Sequence, residues 1–336
     1  MMALHHQPRR RPTSISMRMS PISERPGSGA CGSSGPLTGW WFTRLNLANP
    51  VAVPVHCHVP VAGRTDSVGA MGELRVYATV ARLAFRRQAT YRAAMLAALF
   101  TNVVFGFIIA SLFRAVVAER GSVDGWDAKD LVTFAFATQS LLGAVAAFGE
   151  RELGMRVVTG DIATDFVRPV SIEGWTVAQF FGKSAAQIMV RMVPTFAAGA
   201  IAFDLRLPTT SSAAATVVAV VLAVAVAAAW WMVINLTAFW IVNPKGTVQL
   251  ANVLGYALSG IAVPLVFFPD GLEHVLRWSP WAAQIQLPVE VFIGKRRSSV
   301  VLLQTYGRQL LWVVVLLGVA HLLVVRGRHK LVVQGG

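Results

Sequence analysis

Charge is scarce in this chain. Only 14% of its 336 residues are Asp, Glu, Lys or Arg, against about 25% in an average chain. With 55% hydrophobic residues, the composition excludes an ordinary soluble domain. Cysteine is scarcer still: Cys31 and Cys57 are the only two, both in the first 70 residues. Neither a disulfide framework nor a cysteine-built metal site is supported. His56-Cys57-His58 places three ligand types side by side, but adjacent side chains converge poorly on one ion and no partner pair stands at zinc spacing. Alternating segments of about 10 residues, the mark of a membrane β-barrel, are also lacking. Continuous apolar runs near 20 residues recur instead, the length that crosses a bilayer core as a helix. Lipid cannot satisfy an open backbone, so such runs are helical. The sequence predicts an all-α polytopic membrane protein.

Basic residues outnumber acids 30 to 16, a formal charge of +14. No basic patch with interleaved aromatics on a soluble module accompanies the excess, so no nucleic-acid partner is expected. The excess is read as anchoring to anionic lipid on the cytoplasmic side. Residues 1–70 carry runs such as Arg9-Arg10-Arg11 and Gly32-Ser33-Ser34-Gly35. They show no helical period and no apolar core of a secretory signal, so they form either a disordered leader or an extension upstream of a start at Met71.

Residues 71–92 predict a basic amphipathic helix in the cytoplasmic interface. Arg75, Arg82 and Arg86 form one stripe beside Val76, Val80 and Leu83, and Arg87 adds to the anchor. The expected membrane domain covers 93–330, with six spans at about 93–113, 131–148, 176–203, 213–242, 247–268 and 310–325. Asn102 is the one strongly polar residue of the first. Lys183 and Arg191 both fall in the third, where a charge at the bilayer centre costs about 2.5–3.5 kcal/mol on insertion scales. Lys183 is expected to snorkel. Arg191 lies deeper, either lining a path for an anionic headgroup or making an ion pair. Pro194 should kink this helix, and Gly255, Ser259, Gly260 and Pro264 interrupt the fifth. Lys295-Arg296-Arg297 falls on the outer side, against the positive-inside trend.

Residues 150–174 interrupt the apolar runs with a polar stretch that follows the second expected span. Glu150, Arg151, Glu152, Arg156, Asp161, Asp165 and Arg168 alternate there with Val157, Val158, Ile162, Phe166 and Val167. Gly160 suits the left-handed end of one helix, Asp161 the start of another, and Pro169 the close of the unit. The run from Thr159 to Val170, TGDIATDFVRPV, resembles the G-x-I-x-x-x-(apolar)-x-R-P-(apolar) element of type-2 ABC exporter permeases. The resemblance covers about residues 71–330. It implies that the amphipathic helix is the family's connecting helix and that 150–174 is a cytoplasmic coupling loop. Glu150, Arg151, Glu152, Asp161, Arg168 and Pro169 would then face an ATP-binding cassette subunit. It also implies a second permease copy or paralogue, ATP and Mg held on the ATPase subunit, and both termini on the cytoplasmic side of the inner membrane. Arg191 and Asn102 are the candidates for the translocation path.

Two other classes lack their signatures. Gly182-Lys183-Ser184 mimics the end of a phosphate loop, but Val177 stands where its first glycine belongs and no strand precedes it. The chain therefore needs a separate ATPase. An intramembrane enzyme would need paired acids or His ligands within the spans; only His321 falls in one, with no acid opposite it by spacing. The expected function is the permease half of an exporter for a lipid-like, drug-like or natural-product substrate. A stand-alone channel or scaffold is the alternative.

Overall fold

Apolar runs, helix caps and a few close glycine contacts set the architecture. A computed structural model describes residues 70–145, 151–241 and 243–334. All of them belong to the second of two units, 62–336. The proposed leader, with Cys31, Cys57 and His56–His58, lies outside the described residues, as does Glu150.

The amphipathic segment forms α1 (Ala70–Thr90), followed by α2 (Arg92–Arg120) and α3 (Ala128–Leu141). Two short helices come next, α4 (Glu152–Thr159) and α5 (Ile162–Phe166). Helix α6 (Ile172–Gln187) runs through a π turn at Ile188–Met192 into α7 (Val193–Ala202). The Val193 N–H bonds to Ile188 O, five residues back. Pro194 has no N–H to continue an α pattern, so the helix accommodates it with a widened turn just before it. Next come α8 (Thr210–Leu236), α9 (Pro244–Leu258), the short helices α10 (Asp270–Arg277), α11 (Pro280–Gln284) and α12 (Gln286–Ile293), and the long α13 (Ser299–Gln334).

The expectation of six spans is corrected. Among the described residues four helices are long and apolar enough to cross a membrane: Arg92–Glu119, Ile172–Ala202, Thr210–Phe239 and Ser299–Lys330. The other two expected spans hold helices of 14 and 15 residues, α3 and α9. These extend about 21 and 22 Å against a hydrocarbon core of about 30 Å. The apolar run of α3 continues in sequence, but the helix gives way to turns over 142–145. Helix α9 ends at Ser259, and Gly260 follows at φ +88. A Cβ there would lie 2.2 Å from Gln286 Oε1, so the chain breaks to let α12 approach. Hydropathy records neither interruption, because both occur inside apolar sequence. Helix α3 is capped by Asp127 and is buried from Asp130 to Leu141, so its apolar residues face protein.

Helix α8 is the central element, lined with small residues such as Ala219, Ala223, Ala227 and Ala229, all fully buried. Small residues let neighbouring helices approach closely. Helix α13 packs against it and starts well before the expected 310–325. The polar residues that masked this start are satisfied by carbonyls: Gln309 Nε2 donates to Ala219 O and Ala283 O, each 2.9 Å, and Tyr306 Oη to Ala215 O at 2.9 Å.

Helix α1 packs along α6, with Val80 and Ala84 buried one turn apart and Tyr77 Oη 3.1 Å from Ser171 Oγ. Gly182 makes this possible, because a Cβ there would lie 2.1 Å from Ala81 O. The residues that mimic a phosphate loop thus have packing roles: Gly182 admits α1, and Ser184 Oγ donates to Ala144 O at 2.6 Å.

The basic triplet that conflicted with the positive-inside trend is held by acids. Lys295 pairs with Asp130 at 2.6 Å and Arg296 with Glu290 at 2.6 Å. Glu290, only 2% exposed, also binds Arg277 through both oxygens at 2.7 and 2.9 Å and accepts from Gln286 at 2.7 Å. Two of the three cations are therefore structural.

Substituting Gly182 by Val should push α1 off α6, an overpacking cost of about 1–3 kcal/mol. Melting of the detergent-solubilised protein is expected to shift to lower temperature. Gly246→Ala, which meets nothing within 4 Å, should leave it unchanged.

Candidate functional site

The polar interlude folds into the α4–α5 pair at one end of the helices. Gly160, at φ +80, ends α4 in the left-handed conformation. Asp161 begins α5 without a capping bond from its side chain; its carboxylate accepts from Thr159 Oγ1 at 2.7 Å instead. The pair is closed by Arg156 and Asp165, nine residues apart. Arg156 donates from Nε to Oδ2 at 2.8 Å and from Nη2 to Oδ1 at 2.7 Å. Asp165 is 8% exposed, and this two-pronged geometry is the strong form of an arginine–carboxylate contact. Arg168 adds a contact to Asp165 at 3.1 Å and lies over the Trp175 ring at 4.6 Å.

Three anchors fix the pair to the longer helices. Gly154 N–H donates to Asn235 Oδ1 on α8 at 2.9 Å, deep in the packing, and a Cβ on Gly154 would meet that oxygen at 2.7 Å. Glu152 receives Arg87 of α1 at 2.9 Å and Lys183 of α6 at 3.0 Å. Arg328, near the end of α13, lies over Phe166 at 4.8 Å.

The residues predicted from sequence therefore divide. Arg151, Asp161, Arg168 and Pro169 are exposed, with Val167 beside them 85% exposed. Glu152 turns inward as a three-helix clamp. Arg75, Arg82 and Arg86 are exposed on α1, whereas Arg87 is committed to Glu152. Lys183 is partnered by Glu152 rather than held only by snorkelling. Arg156, Asp165 and Asn235 are the residues that the sequence reading left without a role. The spacing of Arg156 and Asp165 across Gly160 is a usable signal for the first two. Nothing in the sequence links Gly154 to Asn235, 81 residues away.

Arg191 and Asn102 come together inside the helices. Arg191 Nη2 donates to Asn102 Oδ1 at 3.3 Å and Nη1 to Gln187 Oε1 at 3.2 Å, while Asn102 Nδ2 donates to Gln139 O at 2.9 Å. His321, which had no acid opposite it by spacing, is paired with Glu173 at 3.0 Å.

Burial alone would raise the Glu152 carboxyl, but hydrogen bonds from Lys183 and Arg87, with their charges, outweigh it and hold the group below the ordinary carboxylate value. A depressed carboxylate contributes stability above its unfolded pKa and loses it as pH falls through the folded value.

Apolar helices of membrane-spanning length are closed at one end by a polar helical pair anchored on three of them and on α1, the build of a polytopic membrane protein. A family model described as ABC-2 family transporter protein matches residues 100–335, and the chain belongs to that family. It is a transporter permease. Permeases of this family generally pair with ATPase subunits and form dimers. No curated protein and no solved structure matches the chain.

Glu152→Gln should lower the melting temperature at neutral pH. The gap from the wild type should close on acidification, from about pH 5 down through the depressed Glu152 value. Parallel melting curves of the two proteins across this range check the clamp; a gap independent of pH would contradict it.

Proposed function

We propose that this chain is the permease subunit of an ATP-driven exporter, embedded in the cytoplasmic membrane with both termini on the cytoplasmic side. It works with a second permease copy or paralogue and with a separate ATPase subunit that carries ATP and Mg. The cargo is a lipid-like, drug-like or natural-product molecule. Segment 150–174 is the coupling loop, and its exposed residues Arg151, Asp161, Val167, Arg168 and Pro169 form the docking surface. Glu150 belongs to this surface by sequence. The exposed arginines Arg75, Arg82 and Arg86 anchor α1 to anionic lipid, and Arg191 with Asn102 lines the translocation path.

The observation that carries this reading is the contrast within one short segment. The Arg156–Asp165 clamp and the Asn235 latch hold α4–α5 rigidly, yet the same segment turns Val167 and its charged neighbours outward. A solvated loop has no need of an exposed valine on a buried ionic clamp. A docked subunit needs both a rigid lever and an apolar contact with charged margins. Force applied to α5 would pass to α8 through Gly154, to α6 and α1 through Glu152, and to α13 through Phe166. Helix α1 and the end of α13 lie against this same pair, which supports termini on one side.

The test is gentle-detergent purification of the full chain with identification of what co-purifies. An ATPase subunit is expected, and Val167→Asp or Asp161→Ala should reduce its retention at least about fivefold, as loss of a central contact does. Full assembly and full transport in both variants would remove the coupling assignment. A homo-oligomer with no ATPase, under conditions that preserve a known exporter complex, would favour a stand-alone channel or scaffold.

A further inference from the structure

Among the described residues Arg191 has no counter-charge. It stands in the 31-residue spanning helix Ile172–Ala202, about 6 Å from the helix midpoint. Its two terminal nitrogens reach only the neutral amides of Gln187 and Asn102, at 3.2 and 3.3 Å. Its Nε is buried and has no acceptor. Two other inward cations are treated differently: Lys183 has Glu152, and Arg277 has Glu290 and Glu273.

The sequence shows where a neutralising carboxylate is unavailable. Among the four spanning helices, acids occur only at the ends, Glu119 in Arg92–Glu119 and Glu173 in Ile172–Ala202. The helices Thr210–Phe239 and Ser299–Lys330 contain none. Helix α9 has none either, and α3 has none beyond Asp130. A second copy of this chain brings the same set. Within the described residues no acid pairs with Arg191, and the buried Glu290 of α12 is held by Arg277 and Arg296.

A guanidinium in low dielectric attracts an anion strongly, and its planar fork matches phosphate or carboxylate oxygens. Gly143 backs the guanidinium closely on one side, where a Cβ would lie 3.1 Å from Nη1. Arg191 is itself only half-buried. Its location among apolar helices favours an anion carried on an apolar chain over a small hydrated one.

We infer that Arg191, with Gln187 and Asn102 orienting it, receives the anionic headgroup, phosphate or carboxylate, of the amphiphile that this permease moves. The inference rests on the translocation-path reading and narrows it to acidic amphiphiles.

Binding by the purified full chain in phosphatidylcholine nanodiscs tests it without any ATPase. The probes are lysophosphatidic acid and the monoacylglycerol of the same acyl chain, which lacks only the phosphate. Saturable binding of the phosphate form is expected, at least about tenfold tighter than the neutral form. Arg191→Gln should abolish that preference. Asn102→Asp should abolish it too, because the new carboxylate would neutralise Arg191 internally at the cost of the Nδ2 bond to Gln139 O; this variant decides the matter if Arg191→Gln fails to fold. Equal binding of both probes, or a preference that survives in Asn102→Asp, overturns the inference. Full competition by millimolar inorganic phosphate would overturn the headgroup assignment in favour of a free anion. Failure to co-purify an ATPase would sink the exporter reading and leave this binding result standing.

Discussion

Glu152 joins three helices at one point. It is the first residue of α4, it binds Arg87 on α1, and it binds Lys183 on α6. Breaking such a contact from one side is costly because the other charge stays behind. The position of α4 follows from this bridge and from the Gly154–Asn235 hydrogen bond two residues on. The position of α5 then follows from Arg156 and Asp165. The exposed surface of the segment is therefore defined by contacts on its hidden side.

The same constraint governs the opposite end. Glu290 collects Arg277, Arg296 and Gln286, while Asp130 binds Lys295 and Arg206. Positive-inside reasoning counts charges that are free to meet lipid and water. Lys295 is withdrawn from that count by the distant Asp130, and Arg296 by Glu290, six residues before it. Lys295 also lies over the Trp126 ring at 5.2 Å, which ties the turn after α2 to the segment before α13.

Much of this was legible in the sequence, and the rest was lost for identifiable reasons. The apolar runs and the basic helix at 70–90 announce themselves by period. The polar interlude announces itself by contrast. The number of long spans did not, because α3 and α9 end within apolar sequence, where Gly260 and a run of turns break the helix without any change in hydropathy. The start of α13 was hidden for the converse reason: Thr305, Tyr306 and Gln309 look polar, yet Thr305 bonds to a carbonyl of its own helix and Tyr306 and Gln309 to carbonyls of neighbouring elements. Pairings such as Gly154 with Asn235 and His321 with Glu173 join residues 81 and 148 positions apart. Only the folded chain brings them together.

Lys183 and Arg191 show how far one helix can separate two similar residues. They are eight positions apart, about 12 Å along the axis, and by sequence they differ little. The fold gives Lys183 a carboxylate from α4, which makes it part of the frame. It gives Arg191 two amides, a facing glycine and a π turn, which is a costly helix geometry found often at functional sites. If the amides served only to bury the charge, a neutral residue would do better at less cost. A retained, incompletely satisfied cation is better explained by something that arrives to meet it. Because both residues share α6 and α7, a displacement of α4 that moves Lys183 also bears on the turn that carries Arg191. Docking surface, clamp and anion receptor would thus lie along one mechanical line.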